Sequence, residues 1–539
     1  MNWLMLPEMR GLVGASMFAS VALSAAVTVA SSQNACSRQT IHCNQLPGIK
    51  VLNIAINEVN DLSLSTFQNG DIPTANWTGL NFCNVTVTYT HPGQDDRINV
   101  QTWLPLEDKW NGRFQGTGGG GYIAGWGSES LAPAVAAGYA ASSTDAGVIG
   151  EDASAWALLK PGQVDQTHLE NFAYVSLNDL SLIGKAITAS YYGKPPSYSY
   201  WTGCSTGGRQ GMMLAQRYPG AFNGILALAP AINWPSFQVA DYWPQQVMNT
   251  LNYYPEPCEL EYLTSAAIRA CDGLDGLEDG VVSRPDLCNF DANSLVGTQN
   301  ICPGKQNTVT SQAAEIANAI STGPTNPSGK QLWPGFHKDA PLTGLPGVTL
   351  AYTNCTNSKR SSCVGVPAVV PEEWIRLFVE KDPKFDTSGI NAKQYANVFH
   401  RSIAEYQAVI GTANPDMSAF KAAGGKILSW QGLADQLVPP DGTAQYYNQV
   451  LSLDPAATDF YRLFFAPGTY HCAAGIAPYP YDTLDTLVKW VERGHAPDTL
   501  TAVNRTSTGD GAVRPLCPYP RIQTYVGGDG QGPASFTCA

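Results

Sequence analysis

Charge is what this chain has least of. Only 14% of its 539 residues are charged, and 31 Lys plus Arg face 44 Asp plus Glu for a formal net charge of −13. So thin a charge excludes a disordered acidic tail protein and a coiled coil. Basic residues are nowhere concentrated, and phosphate binding requires that they be, so nucleic acid is not an expected partner. Beyond residue 30 no run is long and apolar enough to span a bilayer, so no membrane partner is expected either. No internal repeat is present. What the chain does have is 52 Gly, 37 Pro, 10% aromatic residues and an odd count of 13 Cys. Such a chain is long enough for a large core, in one oversized domain or several ordinary ones.

Residues 1–30 read as a secretory signal, with Arg10 in the leading segment, a small-residue apolar run from Gly11 to Val29, and Thr28-Val29-Ala30 before Ser31. The run is rich in Ala, Ser and Gly rather than Leu and Ile, which favours a cleaved signal over a retained anchor. All the cysteines lie beyond it, as do the sequons at Asn76, Asn84, Asn354 and Asn504. Together these features predict a secreted, extracellular, glycosylated and disulfide-linked protein.

Two alternating runs, Val85–Tyr89 and Ile98–Trp103, flank Pro92-Gly93 and predict an antiparallel hairpin. The rhythm then changes to strand, helix, strand, helix. Candidate strands are Arg113–Gln115, Ala140–Thr144, Ser197–Thr202 and Ile225–Leu228, with helices over Leu177–Tyr191 and Gly207–Arg217. This order predicts an α/β layered domain with a parallel sheet. From residue 233 to 400 the rhythm is lost in a stretch rich in Pro, Gly, Asn and Ser, studded with Trp234, Tyr242, Trp243, Tyr253, Tyr254, Trp333, Phe336 and Trp374. It resumes with strands Lys426–Trp430 and Tyr461–Phe465 and an Asp482-capped helix stopping at Gly494. The expected organisation is a core of residues 31–232 and 401–539, interrupted by a lid over 233–400.

Gly203-Cys204-Ser205-Thr206-Gly207 has the form Gly-x-Ser-x-Gly at a strand end before a helix, where a sharp turn lifts the serine hydroxyl above the sheet. A serine hydroxyl needs a histidine base oriented by a carboxylate. Of the seven histidines, His42, His91, His168, His337, His400 and His495 lie near a terminus, in turns, in the insertion or in polar surroundings. His471 follows the strand Tyr461–Phe465, where a late loop can carry the base. Asp435 follows the strand Lys426–Trp430; alone it reads as a turn residue, but the chain order Ser205, Asp435, His471 is that of nucleophile, acid and base. Cys204 precedes the serine and Cys472 follows the histidine, so a bridge between them would fasten the two loops. For the oxyanion, Thr206 supplies one backbone N–H, and the glycine run Gly118–Gly121, through Gly120 and Gly121, the other. A phosphate-cradling loop is the weaker reading of that run, because no Lys-Ser/Thr follows it.

Within the insertion, Asp272, Asp275 and Asp279 fall in eight residues punctuated by Gly273, Gly276 and Gly280. Carboxylates so close repel unless a hard cation neutralises them, which makes the loop a calcium candidate although its spacing is not that of an EF-hand. An exposed acidic turn is the alternative. Cys271 and Cys288 bracket the loop and could close it.

On these residues, and on the Cys517-Pro518-Tyr519-Pro520 tail ending near Cys538, the chain resembles the tannase and feruloyl esterase family of secreted serine esterases over essentially its whole mature length. The segments that carry the resemblance are Gly203 to Gly211, Asp435, His471-Cys472 and the acidic loop 272–281. The resemblance implies an α/β-hydrolase core with a large inserted lid, a Ser205–Asp435–His471 triad and a linking Cys204–Cys472 disulfide. It implies calcium held by Asp272, Asp275, Asp279 and the carbonyls of Leu277 and Val281. The implied substrates are hydroxycinnamoyl esters of plant cell-wall polysaccharides or galloyl esters of tannins. No dibasic processing site of the kind found in some fungal tannases is present, which leans toward the feruloyl type. The remaining cysteines divide into Cys271 with Cys288, Cys517 with Cys538, Cys355 with Cys363 and Cys36 with Cys83, leaving Cys43, Cys258 and Cys302 unassigned.

Overall fold

The structure, a computed structural model, describes residues 36–539 apart from 44–45, 68–73, 300, 304–306, 345–348, 357–361, 474 and 507–508. The expected signal segment lies outside the described residues.

A nine-stranded sheet organises the protein. Its strands are β1 (Lys50–Thr66), β2 (Ala75–Thr90), β3 (Ile98–Pro105), β4 (Arg113–Thr117), β5 (Ala140–Thr144), β6 (Tyr198–Cys204), β7 (Gly224–Leu228), β8 (Lys426–Gly432) and β9 (Tyr461–Ala466). They lie in the order β1-β2-β3-β5-β4-β6-β7-β8-β9. The first three and the β3–β5 pair are antiparallel, and from β5 to β9 every pair is parallel. The hairpin read from Val85–Tyr89 and Ile98–Trp103 is β2–β3, with Val87 opposite Val100.

Central strands are buried on both faces, as a parallel sheet covered by helices demands. In β7 and β8, Ile225 and Ile427 join one core cluster while Leu226 and Leu428 join another across the sheet. Helix α2 (Ser176–Tyr192) covers the first face with Leu177, Leu180, Ile183 and Ile187. Helix α7 (Thr483–Arg493) covers the second with Leu487 and Trp490, together with α1 (Ser128–Ala136) through Leu131 and Val135. Asp482 does not cap α7 as expected: its φ of 56° is left-handed and its side chain makes no capping hydrogen bond.

Between β7 and β8 the insertion is largely helical, containing α4 (Trp234–Asp241), α5 (Pro257–Cys271) and α6 (Ala392–Ile410). The lid boundary drawn at residue 400 falls inside α6, which cannot be divided because its two halves hold α4. Tyr395 donates to the Val239 carbonyl at 2.8 Å and Ser402 to the Pro235 carbonyl at 2.6 Å. Among the described residues the insertion is not a compact unit apart from the sheet. Its aromatic core, with Trp234, Trp374 and Phe378, includes Tyr122 from the loop after β4.

Six disulfides join Cys36–Cys83, Cys204–Cys472, Cys258–Cys302, Cys271–Cys288, Cys355–Cys363 and Cys517–Cys538. Cys258 and Cys302, unassigned in the sequence, form a pair, and Cys43 is the free thiol. Among the described residues no helix is long and apolar enough to cross a membrane.

Candidate active site

The site forms at the carboxyl ends of β6, β8 and β9, where loops diverge from the sheet. Ser205 sits between β6 and helix α3 (Thr206–Arg217) with φ 60° and ψ −121°, a conformation that L residues rarely adopt. Glycines make the turn possible by close approach. A Cβ on Gly203 would come within 2.5 Å of the Gly207 carbonyl carbon, and one on Gly118 within 2.5 Å of the Gly207 Cα. The glycine loop therefore lies directly against the start of α3, and Gly207 donates its N–H to the Gly119 carbonyl at 3.0 Å.

Buried polar side chains of α3 hold this arrangement. Gln210 accepts from the Gly119 N–H at 3.2 Å and donates to the Ala124 carbonyl at 2.9 Å. Arg209 is fully buried and donates to the carbonyls of Ala173 and Phe172 at 2.9 and 3.2 Å; burial pushes its guanidinium down to about 9.

Asp435 is fully buried in the loop after β8. Its Oδ1 accepts the N–H groups of Leu437 and Val438, both at 2.9 Å, and its Oδ2 accepts from Gln431 Nε2 at 3.2 Å. Both oxygens lie 3.0 Å from His471 Nδ1. A carboxylate only accepts, so Nδ1 carries the proton and Nε2 is left as the base. The His471 N–H donates to Gln436 Oε1 at 3.0 Å, which fixes the base loop to the acid loop. The Cys204–Cys472 bridge brings the two Cα atoms to 5.8 Å, and the residues beside them, Ser205 and His471, line one cavity of about 640 Å³.

Thr206, Gly120 and Gly121 line the same cavity. Of these, Gly120 departs from the expected role, because its N–H is donated to the Ile123 carbonyl at 3.1 Å. Gly121 is the glycine whose N–H can serve, and Thr206 Oγ1 donates to its carbonyl at 2.7 Å, tying the glycine loop to the first residue of α3. Of the insertion aromatics singled out in the sequence, Trp234 lines the cavity. Trp374 does not line it and instead stacks on Phe378 at 4.7 Å. Phe237, Gln238 and Asp241 of α4 also reach the wall, and the sequence reading missed them together with Gln431 and Gln436. Only Gln436 carried a signal, its place beside Asp435.

The acidic loop lies elsewhere. Asp272 Oδ1 accepts the N–H groups of Asp279, Gly280 and Val281 at 3.0, 2.9 and 3.2 Å. Asp275 Oδ1 accepts that of Leu277 at 3.0 Å, and Asp279 pairs with the buried Arg514 of a C-terminal strand. The carboxyl oxygens of the three aspartates are not gathered within 4.8 Å of one another. Burial pushes the Asp275 carboxyl up, and the charges of Asp279 and Asp272 add to the effect. An all-oxygen donor set under such repulsion fits a hard divalent cation chemically. The disulfides place Cys271 with Cys288 across this loop and Cys517 with Cys538 at the tail. Of the sequon residues, Asn76 and Asn354 are exposed and Asn84 and Asn504 are partly so.

A family profile described as tannase and feruloyl esterase matches residues 83–539. The chain is 42% identical to a probable feruloyl esterase of Arthroderma benhamiae, with 92% of each chain covered. It is 31% identical to a mono(2-hydroxyethyl) terephthalate hydrolase of Piscinibacter sakaiensis over 83% of this chain and 82% of that one. Among solved structures, tannin acyl hydrolase from Aspergillus niger superposes with a TM-score of 0.83 at 30% identity, covering 93% of both chains. The chain has the α/β-hydrolase fold of these relatives, and it belongs to the tannase and feruloyl esterase family of carboxylic ester hydrolases.

Proposed function

We propose that the protein is a secreted serine esterase that hydrolyses phenolic esters of the hydroxycinnamoyl, feruloyl type through an acyl-enzyme. The observation that carries this reading is His471 Nδ1 held at 3.0 Å from both Asp435 oxygens, in the cavity that Ser205 lines. Ser205 Oγ attacks the ester carbonyl carbon as its proton passes to His471 Nε2. The N–H groups of Thr206 and Gly121 receive the charge that develops on the carbonyl oxygen. Collapse breaks the bond to the alcohol, which leaves with the proton from His471. Water, deprotonated by the same nitrogen, then attacks the acyl carbon and frees the acid and Ser205. An apolar wall that includes Trp234 and Phe237 suits an aromatic acyl group.

The galloyl reading stands second, favoured by the likeness to the tannin acyl hydrolase. Comparing kcat/KM on methyl ferulate and methyl gallate decides between them: faster turnover of the gallate would replace the feruloyl assignment. Six disulfides and the exposed sequon residues support export and glycosylation, and a polysaccharide-linked ester as the natural substrate follows from the feruloyl reading.

Calcium is assigned to the acidic loop, with the carboxylates of Asp272, Asp275 and Asp279 and the carbonyls of Leu277 and Val281 as its holders. There the ion would supply charge neutralisation to a loop that does not line the cavity, and its role would be structural.

A further inference from the structure

Among the residues that line the cavity, two buried polar groups are left unused by the ester chemistry. Gln238 and Asp241 are three residues apart on α4, hence on one face of the helix, and both line the cavity. They are 4% and 5% exposed, and Gln238 Oε1 and Asp241 Oδ1 have no hydrogen-bond partner. A buried polar atom left unpaired has given up its hydrogen bonds to water and gained none in return, so it destabilises the fold. Two such atoms one helical turn apart, beside the apolar lining residues Trp234, Phe237, Val370 and Leu437, mark a place where a ligand completes the pairing.

The chemistry of the pair selects the ligand. Gln238 offers an amide oxygen, which accepts. Burial, followed by the charge of Asp435, pushes the Asp241 carboxyl well above the ordinary carboxylate range. A neutral carboxyl both donates and accepts, and it suits an uncharged hydroxyl rather than a cation. Trp234 and Phe237 provide apolar surface on the same helix, against which an aromatic ring can lie.

The geometry points to Gln238 and Asp241 as the specificity subsite for the acyl half of the substrate, recognising a free hydroxyl on its aromatic ring. This rests on the phenolic-esterase reading above and deepens it: the acid released would be a phenol rather than its ring-methylated ether. A hydroxyl can donate its one hydrogen to one of these oxygens while its own oxygen accepts from the neutral Asp241 carboxyl, whereas a methoxy group has no hydrogen to give and leaves both oxygens unpaired.

The test reads a ratio. kcat/KM is measured for methyl 4-hydroxycinnamate and methyl 4-methoxycinnamate, and for the corresponding benzoates, in the wild type, Asp241→Ala, Asp241→Asn and Gln238→Leu. The wild type should favour the hydroxylated ester by about tenfold or more, carried mainly in KM. Asp241→Ala should bring the ratio near unity, Gln238→Leu should lower it, and Asp241→Asn, whose amide also donates and accepts, should keep most of it. A wild type indifferent to the hydroxyl, or an Asp241→Ala enzyme slowed equally on both esters with its ratio intact, would overturn the subsite. Should Asp241→Ala not fold, the Gln238→Leu ratio decides alone. The esterase reading is checked separately with p-nitrophenyl acetate: absence of Ser205-dependent turnover there would remove that reading, whereas turnover with an unchanged ratio would remove only the subsite.

Discussion

Ser205 is held at φ 60° by Gly203 behind it and the glycine loop beside it, a backbone state that costs about 1–3 kcal/mol. The strain belongs to the backbone, so Ser205→Ala should abolish ester hydrolysis while leaving the melting temperature nearly unchanged. Residual turnover of p-nitrophenyl acetate above the rate in buffer would remove Ser205 from the nucleophile's role. Asp435 acts through His471, and its two contacts to Nδ1 fix which nitrogen is bare. Asp435→Asn can donate to Nδ1 and so favours the wrong tautomer; kcat should fall by about 10⁴-fold. Recovery of the loss at high pH, where the wrong tautomer matters less than the Ser205 proton, is the signature to look for in the pH–rate profile. These residues were legible because the chemistry requires one residue type at each place and chain order narrows the choice. Asp241 and Gln238 were not, because nothing in Trp234–Asp241 as a string tells which helix face meets the cavity.

At the level of elements, the core strands were readable because they are short apolar runs bounded by glycine or proline. The strand β1 escaped notice because it is an edge strand with a sequence as polar as Asn57-Glu58-Val59-Asn60-Asp61, most of it exposed or half-buried. The insertion's helices were hidden by prolines that look like breakers. Pro235, in α4, and Pro257, in α5, stand in the first helical turn, where a missing N–H has no partner to lose. Disulfide connectivity at Cys258 and Cys302 does not follow from spacing. The acidic loop is also an element with a consequence. Arg514 anchors Asp279 to the C-terminal strands, so a cation that ordered the loop would also order that attachment. EDTA should lower the melting temperature, added calcium should restore it, and Asp275→Asn should melt alike with and without chelator. A melting curve indifferent to EDTA in the wild type would remove the metal from this loop.

Across the whole molecule, a buried ionic centre outside the ester cavity sets a limit on the working pH. His91 Nδ1 lies 2.5 Å from Asp96 and its Nε2 3.0 Å from Asp179, joining the β2–β3 turn to α2. The hydrogen bond to Asp179, with that to Asp96, raises the imidazole from 6.5 to about 9. A folded-state value above the unfolded one means the folded protein holds the proton more tightly. The stabilisation is therefore complete below pH 6.5 and is lost as pH rises through 9. Melting temperatures recorded from pH 6 to 10 should fall across that window, and His91→Gln should flatten the fall. An equal decline in the variant would assign it to other groups.

The bridge between Cys204 and Cys472 joins residues 268 positions apart, and the entire insertion lies within the loop it closes. The separation of nucleophile and base is thereby set by a covalent link rather than by the packing of everything encoded between them. Residues 229–425 can change length, composition and cavity lining while the reacting groups stay in register. One catalytic engine can in this way be fitted with many different acyl pockets, a division of labour that lets substrate choice drift without the chemistry having to be rediscovered.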